Sequence, residues 1–176
     1  KEIATLLTKL SMPNAKFRAE IVESSELNTN GCDEIRFLFS ANKGADFKEL
    51  HKVASGGELS RLMLAIKSII AKLTSLPAII FDEIDTGVSG DVAAKMGSIL
   101  EKMSAGMQVI SITHLPQIAS RGKHHLFVYK QDIKNKTISF IKELNEADRV
   151  MEIAKMLSTG KPTEAALLNA KELLKN

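Results

Sequence analysis

The sequence has 176 residues, 44% hydrophobic and 26% charged, which suits one packed core and leaves little chain for a second domain. No apolar run approaches the roughly 18 residues of a membrane span, and a single cysteine, Cys32, excludes an internal disulfide framework, in keeping with a reducing cytoplasm. The formal charge of +3 is spread over separated lysines such as Lys9, Lys16, Lys43, Lys48, Lys52 and Lys123, so no basic tract marks a nucleic-acid contact, and one cysteine with four histidines offers no zinc spacing.

In chain order, Ile3, Leu6, Leu7 and Leu10 predict a short amphipathic helix, in isolation a plain surface helix, stopped by Pro13. The chain opens on Lys1 already inside this pattern, which reads as an excised piece of something longer. Residues 17–22 and 34–40 alternate apolar with polar and predict two strands, with a turn over 28–33 whose strongest signal is Asn30-Gly31. A loop over 42–46 leads to a helix predicted over 56–73, where Leu59, Leu62, Met63, Ile66, Ile69, Ile70 and Leu73 recur at helical spacing.

Residues 78–81, a short apolar run after Pro77, read as a buried parallel strand ending at Asp82 and Glu83. Thr86, Gly87, Ser89 and Gly90 form a loop, followed by a helix with the face Val92, Met96, Ile99, Leu100 and Met103. Met96, Met103 and Met107 read as core filler. Residues 108–113 predict a second buried strand with His114 at its end, and a right-handed strand–helix–strand crossover would bring the two strand tips together. Pro116 opens a short helix ending near Gly122, and residues 124–130 and 136–142 predict a β-hairpin joined across 132–135. Two helices close the chain, one with Val150, Ile153, Ala154 and Leu157 inward and one with Leu167, Leu168 and Leu174, separated by a break over 158–162.

Three of these junctions carry chemistry. Ser55 and Glu58 form a capping box, and Gly56 and Gly57 follow in the first turn, where the free amides at the positive helix end would suit a phosphate. A capped helix can also begin with small residues for no functional reason. Asp82 on a strand tip can hold Mg²⁺ directly or through water, and Glu83, pointing the other way if the strand continues, is free to orient or deprotonate a water. The bland alternative is a pair of solvated carboxylates, and His114 has its own, a satisfied core histidine. A P-loop is absent: Gly122-Lys123 and Gly160-Lys161 are followed by His124 and Pro162, with Gln117 and Lys155 where the leading glycine should stand. A serine hydrolase is equally unsupported, since no G-x-S-x-G elbow surrounds Ser55.

SGGELSR at 55–61 resembles the signature motif of ABC-type ATPases, AIIFDE at 78–83 their Walker B segment, residues 84–87 their D-loop and Thr113-His114 their switch histidine. With the flanking SMPNAKF at 11–17, KVASGGELSRLMLAIKS at 52–68, FDEIDTGVSG at 81–90 and ITHLPQIAS at 112–120, nearly the whole chain resembles the RecN family of bacterial, SMC-like DNA repair ATPases. The resemblance implies an α/β fold, the C-terminal half of an ABC-type head, with a mostly parallel sheet flanked by helices, an added β-hairpin and C-terminal helices. Residues 1–176 would be one domain, with residues 1–10 the end of a coiled-coil arm.

It further implies ATP and Mg²⁺ as ligands, Glu83 as catalytic base, His114 as γ-phosphate sensor and Asp82 at the metal. Ser55, Gly56, Gly57, Glu58 and Asp85 would serve nucleotide binding, the signature residues facing an ATP held on the P-loop of a second head. The implied partners are the N-terminal lobe of the same head, the second head, and DNA through the full-length protein, with no membrane, in the bacterial cytoplasm at the nucleoid. Without a P-loop this lobe would be inactive alone. The rival readings are a non-catalytic dimerisation or DNA-contact module and a transporter-type ABC subunit, the latter disfavoured by the coiled-coil-like entry at 2–10 and by THLPQIAS.

Overall fold

The computed structural model describes residues 1–29, 31–53 and 55–175. Helix α1 (Glu2–Lys9) leads into a hairpin of β1 (Lys16–Asn28) and β2 (Gly31–Ser40), to whose free edge the two-residue strand β3 (Lys48–Glu49) adds. The long helix α2 (Gly56–Thr74) follows, then the unit β4 (Ala78–Asp82), α3 (Gly90–Met103) and β5 (Gln108–Ile112), and a single turn of helix, α4 (Pro116–Ala119). A second hairpin, β6 (Leu126–Ile133) and β7 (Lys136–Glu143), precedes α5 (Glu146–Met156) and α6 (Glu164–Lys175).

The expected α/β architecture is present, but its parallel portion is confined to one pair. β4 and β5 run side by side in parallel from Ala78 opposite Gln108 to Asp82 opposite Ile112, whereas β1–β2–β3 and β6–β7 are antiparallel. The strands of the parallel pair are also not buried on both sides as their apolar runs predict. One face, with Ile79, Phe81 and Val109, packs into the core, while Ile80, Ile110 and Ile112 on the other remain 60%, 39% and 52% exposed. A continuous apolar run marks a strand covered on both faces, and here only one covering layer is present among the described residues.

That layer is the main core. Leu62, Leu64 and Ala65 of α2, Met96 and Leu100 of α3, Ile118 of α4, Phe81 of β4 and Phe39 of β2 form one buried cluster. Helix α1 is not the plain surface helix its short pattern suggests, since Leu7 and Leu10 are wholly buried in this cluster where α1 lies against α2. Met96 fills the core and Met103 packs at its margin, as the helical spacing predicts.

Both hairpins are longer than the alternation alone marks. The first pairs Phe17 with Phe39 and Ile21 with Ile35, and the Asn30 half of its expected turn lies outside the described residues. In the second, Ile133 pairs with Lys136, so the connection is only Lys134-Asn135, both in the left-handed region that a two-residue hairpin turn demands. Phe127, Tyr129 and Phe140 stack on one face of it with centroids 5.8 and 5.5 Å apart.

The closing helices form a smaller core of Ile153, Ala154 and Ala170 with Val150, Leu157, Leu167 and Leu174. Leu168, expected on this face, is 63% exposed, because one residue along a helix turns the side chain about 100° away from Leu167. The hairpin itself joins α5 through Lys142, which donates to Asp148 at 2.8 Å, and the loop before the hairpin joins α5 through Arg149, whose guanidinium donates to the carbonyls of Gly122 at 2.6 Å and Lys123 at 3.3 Å. Beside it His125 is partly buried, and that burial, followed by the charge of Arg149, lowers its pKa.

Two outcomes follow. Leu62→Ala removes a fully buried side chain and should cost about 2–5 kcal/mol in denaturant unfolding, while Leu168→Ala should stay within about 0.5 kcal/mol. Because the folded state holds His125 neutral below the ordinary histidine value of about 6.5, its contribution is present above that pH and lost as pH falls through the lowered folded value. Thermal unfolding between pH 7.5 and 5 should therefore show a loss of stability that is smaller in His125→Gln.

Candidate functional site

Helix α2 begins where the capping pattern places it. Ser55 is the N-cap, and its hydroxyl accepts from the Glu58 amide at 3.4 Å. The two glycines that follow differ. A Cβ on Gly56 would meet nothing within 4 Å, whereas one on Gly57 would lie 2.4 Å from the Gly87 carbonyl oxygen. Gly57 is accordingly buried, and Gly87 adopts φ +73° to bring its backbone there. The open part of the helix start is Ser55 and Gly56. Gly57 instead joins the signature segment to the loop after β4, an attachment reinforced by Ser60, whose hydroxyl donates to the Thr86 carbonyl at 3.4 Å.

Arg61, one turn further on, has no counterpart in the sequence reading. Its Nε donates to the Gly57 carbonyl at 2.9 Å and a terminal nitrogen donates to the Leu10 carbonyl at 3.1 Å. One guanidinium thereby ties the end of α1 to the first turn of α2. Arginine was unremarkable in the sequence because its partners are both main-chain carbonyls, one of them 51 residues away.

The tips of β4 and β5 lie together, as the crossover predicts. Asp82 is opposite Ile112, and the Glu83 amide extends the ladder by one bond, donating to the Ile112 carbonyl at 3.1 Å. The strand does not continue through Glu83, so the expected alternation of Asp82 and Glu83 does not apply. Glu83 has φ +45°, a left-handed conformation that costs a non-glycine residue on the order of 1 kcal/mol. Its carbonyl is held by the Thr86 amide at 3.1 Å and the Thr86 hydroxyl at 2.9 Å. Both carboxylates, Asp82 and Glu83, are solvent-exposed.

The turn that follows carries Asp85 inward. The resemblance sets Asp85 toward nucleotide; in this lobe its side chain is wholly buried, with Oδ2 accepting from the Thr113 hydroxyl and Oδ1 without a hydrogen-bond partner. Thr113 Oγ1 in turn accepts from the Leu115 amide at 3.0 Å. His114, between them, is 69% exposed at its side chain, with Nδ1 3.9 Å from Asp85 Oδ2. The four segments are thus one unit: α2 start to Gly87, Asp85 to Thr113, and β4 tip to β5 tip. Among the described residues no group of three or more His, Cys, Asp or Glu side chains could hold a metal by itself.

No family model matches the chain. It is 43% identical over 175 residues to the DNA repair protein RecN of Vibrio cholerae, covering 99% of this chain and 32% of that protein. The corresponding figures are 45% over 168 residues for RecN of Rickettsia bellii and 46% over 150 residues for RecN of Bacillus subtilis. The chain belongs to the RecN family. It spans between about a quarter and a third of the length of these relatives, 32%, 30% and 26% in turn. Its motif set, signature to switch histidine with no P-loop, is that of the C-terminal lobe of the RecN head.

The fold agrees. The Smc head domain of Pyrococcus yayanosii matches 89% of this chain with a TM-score of 0.70 at 18% identity, covering 28% of that chain. A chain from a study of ATP-driven dimerization and DNA-stimulated activation of SMC ATPases matches 90% of this one and is itself 91% covered, with a TM-score of 0.60 at 17% identity.

The glycine contact gives a direct test. Gly57→Ala must push the Gly87 loop away and should lower stability by roughly 1–3 kcal/mol, whereas Gly56→Ala, in open space at a helix start, should leave it unchanged or slightly raised. Thermal unfolding of the two variants, side by side, separates a packing glycine from an open one.

Proposed function

We propose that this RecN-family lobe supplies half of an ATP-hydrolysing site in a DNA double-strand break repair protein. The observation that carries the reading is the physical linkage of the four segments through Gly57–Gly87, Ser60–Thr86 and Asp85–Thr113, with Asp82, Glu83 and His114 exposed beside one another's strand tips. Such an arrangement is costly to maintain for a surface with no ligand, since it includes a left-handed Glu83 and a buried Asp85 with one unpartnered oxygen.

Asp82 fits Mg²⁺ as a single exposed oxygen donor at a strand tip. That ion keeps several waters and takes one or two carboxylates together with substrate phosphates, so a complete protein cage is not required. When bound, Mg²⁺ would neutralise charge on the phosphates. Glu83, exposed and fixed by its backbone bonds, accepts a proton from the attacking water, and His114 contacts the γ-phosphate. Ser55 and Gly56, with Glu58 closing the cap, present the positive start of α2 to a nucleotide held by another head. On this reading ATP is sandwiched between two heads.

The partner within the same head is the N-terminal, P-loop-bearing lobe. Its seat is the uncovered isoleucine face of β4–β5, together with Leu126, Val128 and Ile141 on the open face of the second hairpin, which are 56%, 61% and 68% exposed. The whole lobe acts as one domain, with α1 as the root of the coiled-coil arm and DNA reached through the full-length protein in the bacterial cytoplasm, at the nucleoid. No helix is long and apolar enough to cross a membrane among the described residues. The transporter-type reading gains no observation from this.

ATP hydrolysis should appear only when this chain is mixed with a P-loop-bearing N-terminal lobe. Glu83→Gln in that mixture should retain ATP binding and lose about 10²–10⁴-fold in turnover. Undiminished turnover would remove Glu83 as the base, and no binding in the mixture would favour an interaction module.

A further inference from the structure

Asp85 is buried and belongs to neither of the roles given to the exposed carboxylates, so its chemistry has to be found in its neighbours. One oxygen accepts from the Thr113 hydroxyl, and the same hydroxyl accepts from the Leu115 amide. These two bonds bracket His114 in sequence: Asp85 of the β4 loop holds Thr113, and Thr113 in turn closes the turn onto the Leu115 amide. The loop itself is anchored independently: the Val88 amide donates to the Asp85 carbonyl at 3.1 Å, and Gly87 is seated on Gly57.

The ring orientation adds a second relation. His114 turns Nδ1, and not Nε2, toward the buried carboxylate, at 3.9 Å from Oδ2. That is beyond a hydrogen bond yet close enough for the carboxylate's field to favour a proton on Nδ1, which leaves the lone pair on the outward Nε2. A buried carboxylate fixing the tautomer of an exposed histidine is a general means of aiming the far nitrogen at a ligand.

We propose that Asp85 is a positioning residue for His114. Through Thr113 it holds the turn, and through its charge it selects the Nδ1-protonated tautomer, so that Nε2 is presented to whatever occupies the site. Asp85 therefore acts on the switch histidine of its own lobe and not on nucleotide. The consequence for turnover rests on the ATP reading above, but the tautomer does not.

The test accordingly has two arms. In ¹⁵N-imidazole NMR of this chain at a pH where the ring is neutral, with His114 assigned through His114→Gln, the wild type should show mainly the Nδ1–H form. Asp85→Asn, which replaces a charge with an amide able to donate toward the ring, should shift it toward Nε2–H. An unchanged tautomer in Asp85→Asn overturns the proposal.

Thr113→Val removes the hydroxyl without touching the carboxylate and carries the second arm. In the reconstituted head it should lower kcat at least tenfold with ATP affinity unchanged, and Thr113→Ser should restore most of the rate. Loss of ATP affinity in parallel with kcat, or no rescue by serine, would also overturn it. A tautomer shift in a head that never hydrolyses ATP would support the Asp85–His114 relation and overturn the nucleotide reading instead.

Discussion

The bond from the Glu83 amide to the Ile112 carbonyl is the constraint on which the arrangement depends. It keeps β4 registered on β5 for one residue beyond the strand proper, and at that residue the backbone turns left-handed. The turn separates what the chain exposes from what it buries. Asp82 and Glu83 stay at the surface, while two residues later Asp85 is inside against Thr113, and two after that Gly87 lies on Gly57. Were the strand to continue straight, neither inward contact would be reachable, and the start of α2 would lose its attachment to the sheet.

Much of this is legible in the sequence alone. The helix over 56–74 follows from apolar spacing and the Ser55 cap, and the meeting of the strand tips follows from the handedness of a strand–helix–strand unit. What could not be read depends on tertiary neighbours. The role of Gly57 is set by a carbonyl 30 positions away in sequence, at Gly87, and the burial of Asp85 by a hydroxyl at Thr113. Arg61 is the clearest omission, because a bond to a main-chain carbonyl leaves no trace in the identity of the residue that supplies it. The buried appearance of 78–81 and 108–113 misled in the opposite direction, since apolar runs report what a strand is suited to meet and not what covers it in this lobe.

The division between the two cores bears on how disturbance would spread. The larger cluster joins α1, α2, α3, α4, β2 and β4, so every candidate site segment leans on the same packed side chains. The α5–α6 cluster is separate, with Ala119 of α4 at its edge, and is tied to the rest by Arg149 on the 122–123 carbonyls and by Lys142 on Asp148. A fault in the smaller core is separated from the site by α4, whereas a fault at Leu62 or Phe81 acts on side chains packed directly beneath it.

The parallel pair has a further property that concerns the molecule in solution. Apart from Asp82 at the tip, β4 and β5 read Ala-Ile-Ile-Phe and Gln-Val-Ile-Ser-Ile, with no lysine, proline or bulge to discourage an incoming strand, and no third strand pairs with either among the described residues. The first hairpin, by contrast, carries the ion pairs Arg18–Glu20 and Arg36–Glu34 along its length. Charged strands repel unsuitable neighbours, while a bare apolar pair accepts any chain that offers a backbone. The colloidal weak point of the lobe is therefore the same edge that carries the Asp82 strand tip.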